Sequence, residues 1–299
     1  MTPAGRFAPS PSGELHVGNL RTAILAWLFA RSTGRDFLLR IEDLDRARAG
    51  AEAEQLRDLA AVGVTWDGAV VRQSGRSGLY SDAISRLSAA GLTYECFCTR
   101  REIQEAPSAP HAPQGAYPGT CRNLEPAELE IRRSTRPAAI RLRAEVTEYT
   151  VKDVLHGAFT GVVDDFVLRR NDGVTAYNLA VVVDDAAQGI DQVVRGDDLL
   201  PSTPRQAYLA MLLNIPVPEY AHVPLVVNSD GARLAKRDGA VTLADLELSG
   251  HQATGVRDLI LRSLGLPAGR LEQALAAFRP DSLPREPWVW TGFQGTAQG

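Results

Sequence analysis

A histidine in a turn between a short strand and an apolar helix is the first feature of this sequence that could do chemistry. Residues 6–8 are typical of a strand, which Pro9 and Pro11 end, and an apolar helix begins just after His16. Backbone N–H groups at a helix N-terminus favour phosphate, and an imidazole can donate to a phosphate oxygen. Gly18 would let an adenine ring approach the backbone closely. The alternative is a surface histidine in an ordinary loop.

A carboxylate follows the next strand. Residues 36–41 (DFLLRI) complete a β–α–β unit after the first helix, which favours a parallel sheet. Glu42 comes directly after this strand, at the edge where the nucleotide-type turn lies. It is therefore well placed to bind an ammonium group, although a solvated loop acid would fit the same pattern.

Three cysteines lie between positions 96 and 121, and the chain has no others. An odd, clustered set without a signal segment argues against a disulfide framework. Cys96 and Cys98 would share one face of a strand, so they could converge on a metal ion or lie together in the core. Tetrahedral zinc needs a fourth ligand, for which His111 and Tyr117 are candidates. General ligand chemistry favours His111, because a phenol must first be deprotonated.

The composition is that of an ordinary globular protein, with 299 residues, 44% of them hydrophobic and 23% charged. A net charge of −4 argues against a wholesale nucleic-acid coat, so any RNA contact would use a local basic surface. No apolar run approaches the roughly 20 residues of a transmembrane helix, and the N-terminus lacks an apolar signal segment. We therefore expect a cytoplasmic protein without a membrane partner, and a monomer.

Two separated motifs resemble those of class I aminoacyl-tRNA synthetases. Residues 16–19 (HVGN) resemble the HIGH motif. The preceding RFAPSPSG is similar to the segment before that motif in the glutamyl/glutaminyl branch. Residues 231–237 (GARLAKR) resemble the KMSKS loop. Lys236 keeps the position of the second lysine, whereas Arg233 and Ala235 replace the usual first lysine and serine. These replacements put the efficiency of activation in doubt more than the type of reaction.

The second half of the chain carries a further resemblance to the glutamyl-type catalytic domain, in the strings YNLAVVVDD and VRGDDLLPSTPRQ. The apolar run 176–183 fits either a strand or the start of a helix. Paired aspartates at 184–185 and 197–198 could suggest a metal site. Acid pairs at turns also serve helix caps and loops, so we discount that interpretation.

The resemblance implies roles for individual residues. His16 and Lys236 would be catalytic at the phosphates of ATP, and Gly18 and Asn19 would help to bind it, with Mg²⁺ arriving on the ATP. Arg6, Tyr177 and Arg195 would hold the side-chain carboxylate of glutamate, because a planar guanidinium binds a carboxylate bidentately. Glu42 would hold its α-amino group. The complete glutamate site would comprise Arg6, Phe7, Ala8, Pro9, Ser10, Glu42, Tyr177 and Arg195.

The cysteine spacing is similar to the zinc site of a short glutamyl-tRNA synthetase paralogue, in which a tyrosine is the fourth ligand. The resemblance therefore implies one structural Zn²⁺ held by Cys96, Cys98, Tyr117 and Cys121. His111 remains the alternative to Tyr117.

The expected fold is α/β: a class I synthetase Rossmann-type catalytic domain with a zinc-bearing insertion and a short helical C-terminal region. We place the two halves of the catalytic domain at 1–92 and 166–238. The insertion, which is similar to an acceptor-binding region, would span 93–165, and the helical region 239–299. No anticodon-binding domain is expected.

The implied reaction is ATP-dependent activation of glutamate as glutamyl-adenylate. A truncated glutamyl-type enzyme with a zinc insertion resembles the glutamyl-Q tRNA(Asp) synthetase family, which transfers glutamate to the queuosine base in the anticodon of tRNA-Asp. The expected partners are then ATP, L-glutamate and queuosine-carrying tRNA-Asp. Alternatives are a minimal glutamyl-tRNA synthetase charging a 3′ end, another HIGH-type nucleotidyltransferase acting on a small molecule, and a non-catalytic RNA-binding paralogue.

Overall fold

The structure, a computed structural model, describes residues 2–105, 117–234 and 241–292. The strands in these ranges are β1 (Ala4–Phe7), β2 (Asp36–Ile41), β3 (Val71–Arg72), β4 (Thr93–Cys96), β5 (Ala139–Leu142), β6 (Glu148–Asp153), β7 (Gly157–Val162), β8 (Val167–Arg169), β9 (Ile190–Gly196), β10 (Glu219–Val223), β11 (Val226–Val227) and β12 (Trp288–Val289). The α-helices are α1 (Val17–Ser32), α2 (Ala51–Ala61), α3 (Ser77–Ala89), α4 (Arg100–Glu105), α5 (Pro126–Thr135), α6 (Tyr177–Ala187), α7 (Thr203–Leu212), α8 (Leu243–Leu248), α9 (Ala253–Ser263) and α10 (Leu271–Ala277).

A seven-stranded sheet in the order β3-β2-β1-β9-β10-β6-β7 forms the centre of the fold. Its neighbouring strands pair in parallel, except in the antiparallel hairpin β6–β7. The chain leaves β1 through α1 to reach β2 on one side, whereas β9 and β10 lie on the other side. The strand order therefore reverses between β1 and β9, the position at which open α/β sheets bind ligands.

Helix α1 lies in the interior of the protein. It packs against β1, β2 and β9 on one side and against α9 and α10 on the other. Its residues from Leu20 to Ala30 are buried except Thr22. A helix that is apolar nearly all round is buried nearly all round, so α1 fixes the turn before it against the sheet.

The apolar run at 176–183 forms the first part of α6, so the helix interpretation of this run is correct. Every residue from Leu179 to Asp185 is buried. The helix packs against α3 and α7 as well as β9, which leaves it little polar surface and hence no clear helical period in the sequence.

Strand pairing does not follow the boundaries expected for the insertion. β4, β5 and β8 form a separate antiparallel sheet, although β8 lies beyond residue 165. The hairpin β6–β7 lies within 93–165 but extends the central sheet through β10. Val151 of β6 packs there with Val193 and Tyr220, and this apolar contact holds the hairpin on the central sheet. The division of the chain into domains stays a prediction.

The helices expected after residue 239 are present as α8, α9 and α10, and a short strand follows them. β12 pairs in parallel with β11: the Trp288 N–H donates to the Leu225 carbonyl at 2.9 Å, and the Trp290 N–H to the Val227 carbonyl at 2.8 Å. The buried indole of Trp290 belongs to the same core cluster as α1. Within the described ranges, no helix combines the length and the apolar character that crossing a membrane requires.

A buried carboxylate on α2 makes the stability of this fold depend on pH. Burial, reinforced by the nearby Glu14 and Glu247, raises the pKa of Asp58 to about 6 against the opposing charge of Arg57. The folded protein therefore binds this proton more tightly than the unfolded chain does. The contribution of Asp58 to stability is fully present below the unfolded pKa and is lost as the pH rises through the folded pKa of about 6.

We expect Asp58→Asn to increase the free energy of unfolding near pH 8 by about 2 kcal/mol, because the amide removes the cost of a buried charge. The gain should largely disappear near pH 4, where the native aspartate is protonated in the folded protein. Urea unfolding at the two pH values measures both. Asp82→Asn, at an exposed position on α3, is the control. An equal gain at both pH values would contradict the assignment.

Candidate active site

A cavity of about 630 Å³ opens at the carboxyl ends of β1 and β9, at the reversal of strand order. It is lined by every residue expected to bind ATP or glutamate that lies in a described range. These are Arg6, Phe7, Ala8, Pro9, Ser10, His16, Gly18, Asn19, Glu42, Tyr177 and Arg195. Lys236 and Ala235 lie outside the described residues. The fold thus brings residues from four separate parts of the chain to one site.

His16 is the N-cap of α1. Its Nδ1 accepts the Asn19 N–H at 3.3 Å, and Asn19 Oδ1 accepts the His16 N–H at 3.2 Å. Burial, assisted by the charge of Arg233, lowers the pKa of His16 to about 4, so the imidazole is neutral near pH 7. Because Nδ1 is an acceptor, the proton of the neutral ring is on Nε2. His16 therefore offers a neutral donor beside a helix N-terminus, where phosphate is favoured.

Gly18 is required by the histidine itself. A Cβ atom at this position would lie 3.0 Å from both Cε1 and Nδ1 of His16 and 3.4 Å from Cβ of Val226. Any larger residue would therefore push the imidazole away from its capping position. The absence of a side chain also leaves the backbone open to a flat ring, as expected from the sequence.

The inner end of the cavity is built on buried charges. Arg6 Nε donates to Asp185 Oδ1 at 3.3 Å, and Arg6 Nη1 donates to the Val194 carbonyl at 3.4 Å. Arg40 Nη1 donates to the same Asp185 oxygen at 2.8 Å. Arg40 Nη2 donates to Glu42 Oε1 at 3.4 Å. One carboxylate of α6 thus joins β1 to β2, and Arg40 carries the connection on to Glu42.

The two carboxylates respond differently to this environment. Burial would raise the pKa of Asp185, but Arg6 and Arg40 outweigh it and hold that pKa below its ordinary value. For Glu42 burial prevails, and its pKa lies above the ordinary value although Arg40 and Arg6 oppose the shift. A cation placed beside Glu42 would favour its charged form. This carboxylate is therefore suited to an incoming ammonium group.

The neighbouring Asp184 joins the same charges to α3, since its Oδ2 lies 3.8 Å from Arg40 Nε in a fully buried ion pair. It is fully buried and accepts from Gln73 Nε2 at 2.8 Å, Tyr80 Oη at 2.8 Å and Arg76 Nε at 2.5 Å. These contacts tie α6 to α3 and to the segment before it. Both carboxylates of the aspartate pair at 184–185 thus accept hydrogen bonds from buried side chains.

Arg195 ends β9 with three neutral partners. Its Nε donates to His222 Nε2 at 3.0 Å, its Nη2 to Thr203 Oγ1 at 2.9 Å, and its Nη1 to Tyr177 Oη at 3.5 Å. Arg195 is 5% exposed. Desolvation of its hydroxyl raises the pKa of Tyr177, although 41% of the residue is exposed, so this phenol stays neutral. A buried positive charge thus faces the cavity.

Arg233 lies at the mouth of the cavity, in the KMSKS-like segment. Its Nη1 forms an ion pair with Asp198 Oδ2 at 2.8 Å, and both side chains line the cavity. The residue that replaces the usual first lysine therefore still brings a positive charge to this edge. Sequence reasoning identified the substitution, but it gave no sign that Asp198 would be the partner.

The three cysteines form a cluster that can hold a metal ion. The Sγ atoms of Cys96, Cys98 and Cys121 lie within 4.8 Å of one another. Thiolates around tetrahedral zinc stand about 3.8 Å apart, given Zn–S bonds of about 2.3 Å. The Tyr117 oxygen lies 3.3 Å from Cys96 Sγ and 3.6 Å from Cys98 Sγ. The donor set therefore fits one tetrahedral ion. His111 lies outside the described residues.

Positive charge and backbone N–H groups surround this cluster. The Arg141 guanidinium lies 3.6 Å from the centre of the Tyr117 ring, and Arg132 Nη1 lies 3.8 Å from Cys121 Sγ. Burial raises the pKa of the Cys98 thiol to about 11. At Cys121 the opposing hydrogen bonds, led by the Phe97 N–H, outweigh burial and lower the thiol pKa. A metal cation would favour the thiolate form at each of these positions.

Sequence reasoning missed several residues that hold the site together. Asp185 lay within a recognised string but had no assigned role. Arg40, Asp153, Thr203 and His222 were not singled out, because each acts through a partner that is distant in the sequence. Of these residues, only His222 lies next to a local signal in the sequence, the Val-Pro that follows it at the end of a strand.

Comparison with known proteins gives the same picture. Residues 4–272 match the family described as tRNA synthetases class I (E and Q), catalytic domain. A protein of Nocardia farcinica named glutamyl-Q tRNA(Asp) synthetase is 67% identical over 289 residues, which cover 96% of this chain and 93% of that one. A Cutibacterium acnes protein of the same name is 55% identical over 269 residues, covering 88% and 76% of the two chains.

A solved structure supports the fold. The glutamate tRNA ligase of Elizabethkingia meningosepticum, in complex with its amino acid, superimposes with a TM-score of 0.84 at 27% identity. The match covers 97% of this chain and 67% of that chain. The expected α/β catalytic fold is confirmed. The chain belongs to the catalytic-domain family of the class I tRNA synthetases for glutamate and glutamine, and it is an enzyme of the aminoacyl-tRNA synthetase type.

Proposed function

We propose that this enzyme activates L-glutamate with ATP as glutamyl-adenylate and transfers the glutamyl group to the queuosine base in the anticodon of tRNA-Asp. The observation that carries the activation step is one cavity that joins a capped helix N-terminus to buried arginines and a partly buried glutamate. The acceptor is supported by the similarity to proteins named glutamyl-Q tRNA(Asp) synthetase. A monomeric state and a cytoplasmic location stay predictions from the sequence.

Charge selects glutamate in this proposal. Arg6 pairs with Asp185, and Arg40 pairs with Asp184, Asp185 and Glu42. The described hydrogen-bond partners of Arg195, by contrast, are all neutral. The side-chain carboxylate of glutamate binds Arg6, Arg195 and the Tyr177 hydroxyl. Its α-ammonium group binds Glu42. Glutamine would leave the buried charge of Arg195 without a counter-charge, so it binds less well.

Catalysis rests on positioning and charge stabilisation. The α-carboxylate oxygen of glutamate bonds to the α-phosphorus of ATP while the bond from that phosphorus to the bridging oxygen breaks, and pyrophosphate leaves. His16 donates to a phosphate oxygen, and Lys236 stabilises the departing pyrophosphate. Gly18 and Asn19 help to bind the ATP. Mg²⁺ bound to the ATP would neutralise part of the phosphate charge. In the second step a queuosine hydroxyl attacks the glutamyl carbonyl carbon and AMP leaves.

A single structural Zn²⁺ completes the proposal. Cys96, Cys98 and Cys121 supply three ligands and Tyr117 the fourth, with His111 as the alternative. The 3.3 and 3.6 Å distances from the Tyr117 oxygen to two of the sulfurs support this choice. The ion would tie the segment around Cys121 to the end of β4, and it takes no part in the reaction.

We expect labelled glutamate to be transferred only to tRNA from queuosine-proficient cells. The assay combines the enzyme, ATP and total tRNA from queuosine-proficient or queuosine-deficient cells, followed by digestion to nucleosides. Label on an internal modified guanosine is the expected product. Label on the 3′-terminal adenosine, regardless of queuosine, would instead indicate a minimal charging enzyme. Lys236→Ala should abolish both transfer and glutamate-dependent ATP–pyrophosphate exchange. Wild-type protein that binds RNA but shows no exchange would instead indicate a binding protein.

Arg195→Gln should raise the KM for glutamate in ATP–pyrophosphate exchange by about 100-fold or more, since it removes a buried charge that pairs with the substrate carboxylate. The KM for ATP should stay near that of the wild type. Arg86→Gln, at an exposed position on α3, is the matched control. A glutamate KM that does not change would remove Arg195 from the proposed site.

Metal analysis should find about one zinc ion per chain in purified protein. Tyr117→Phe should weaken zinc binding about 10- to 100-fold in competition with a chelator, because it removes one ligand oxygen. His111→Ala should leave zinc binding unchanged. The reverse pattern would make His111 the fourth ligand. The zinc site would be contradicted if the purified protein contained no zinc and its thermal unfolding did not change with a chelator.

A further inference from the structure

A buried aspartate and histidine lie directly behind Arg195. His222 on β10 is fully buried and is the register partner of Arg195 on β9. Asp153, at the end of β6, is 2% exposed and is the register partner of Tyr220. The neighbouring strands β6, β10 and β9 thus place Asp153, His222 and Arg195 in a row that leads toward the cavity.

Asp153 acts only as an acceptor. Its Oδ2 accepts the Nδ1–H of His222 at 2.7 Å and the backbone N–H of the same residue at 3.1 Å. Its Oδ1 accepts the backbone N–H groups of Leu155 at 2.8 Å and His156 at 3.0 Å. A group surrounded by donors is an ionised carboxylate, so the proton on the imidazole must sit on Nδ1. These hydrogen bonds outweigh burial and lower the pKa of Asp153.

The other ring nitrogen of His222, Nε2, is therefore unprotonated and can accept a hydrogen bond. Nε2 lies 3.0 Å from Arg195 Nε, whose only proton points to it, and 3.0 Å from Thr203 Oγ1. Burial, together with the charge of Arg195, keeps the pKa of His222 below its ordinary value despite Asp153, and the ring is neutral. Nη2 of Arg195 is held by Thr203. Two sides of the guanidinium are fixed, while Nη1 extends to Tyr177 at the cavity.

We propose that Asp153 and His222 are positioning residues for glutamate recognition: Asp153 fixes the tautomer of His222, and His222 fixes the plane of the Arg195 guanidinium. The inference rests on the proposed binding of glutamate by Arg195. A carboxylate in direct contact with Arg195 would hold it equally well but would neutralise its charge. An imidazole fixes the orientation of the guanidinium without neutralising its charge, which stays available to the substrate. The Asp153 carboxylate orients the ring and has no direct contact with Arg195.

Asp153→Asn tests the tautomer. The variant is isosteric, but one acceptor oxygen becomes an NH₂ group. When this group faces Nδ1, the ring must carry its proton on Nε2, where it opposes the Nε–H of Arg195. We expect the KM for glutamate in ATP–pyrophosphate exchange to rise about tenfold or more, with the KM for ATP unchanged. Nitrogen NMR of ring-labelled protein should find His222 protonated on Nδ1 in the wild type and on Nε2 in the variant.

A second pair of variants keeps the test independent of Asp153. His222→Gln places an amide oxygen near the position of Nε2, so it should keep the glutamate KM within about threefold of the wild type. His222→Leu removes the acceptor and should raise it as Asp153→Asn does. Asp165→Asn changes another buried carboxylate, which lies just before β8 and accepts the Ala144 N–H at 2.8 Å. It should lower thermal stability without changing the KM for glutamate.

The outcomes separate this inference from the proposed function. If Arg195→Gln raises the glutamate KM but a folded Asp153→Asn and His222→Leu both stay within about twofold of the wild type, the positioning role is wrong and the function stands. If Arg195→Gln itself has no effect, the proposed role of Arg195 fails first. Finding His222 protonated on Nε2 in the wild type would overturn the inference. A lower kcat with an unchanged KM for glutamate in Arg195→Gln, Asp153→Asn and His222→Leu would mean structural damage only.

Discussion

The inner end of the cavity depends on one carboxylate shared by two buried guanidinium groups. Asp185 on α6 accepts from Arg6 on β1 and from Arg40 on β2, and Arg40 also reaches Glu42. Breaking such a buried pair costs about 3 to 5 kcal/mol, because an uncompensated charge remains out of water. The same charges therefore join two strands to a helix and set the electrostatic character of the site. Stability and recognition cannot be altered separately here.

Sequence reasoning was sufficient where a residue lies at the end of an element and turns signal that end. His16, Glu42 and Arg195 each stand at a strand end or a helix start, and parallel strands bring their carboxyl ends to one edge. The close cysteine spacing was equally informative, since the three thiols do converge. The roles of these residues as ligands stay predictions, because convergence in a cavity does not identify what is bound.

The supporting residues could not be found in this way. Asp185 lies inside an apolar helix and His222 inside a strand, and neither has a local pattern that names its partner. The hairpin β6–β7 is similar: it was not predicted, and no local pattern says which sheet it joins. Its place is decided by the apolar contacts of Val151 and by the hydrogen bonds of Asp153 to His222. Long-range pairing of this kind depends on the tertiary structure alone.

The pairing of β12 with β11 has a consequence for the order of assembly during synthesis. Val226 of β11 stands opposite Gly18 and lines the cavity, and β11 receives its only described strand partner from residues 288–289. A ribosome delivers the chain from the N-terminus, at about 5 to 20 residues per second. The HIGH-like turn therefore waits several seconds for the strand that supports its opposite wall. A nascent chain stalled before Trp288 would carry every motif recognised in the sequence and still lack the strand that pairs with β11.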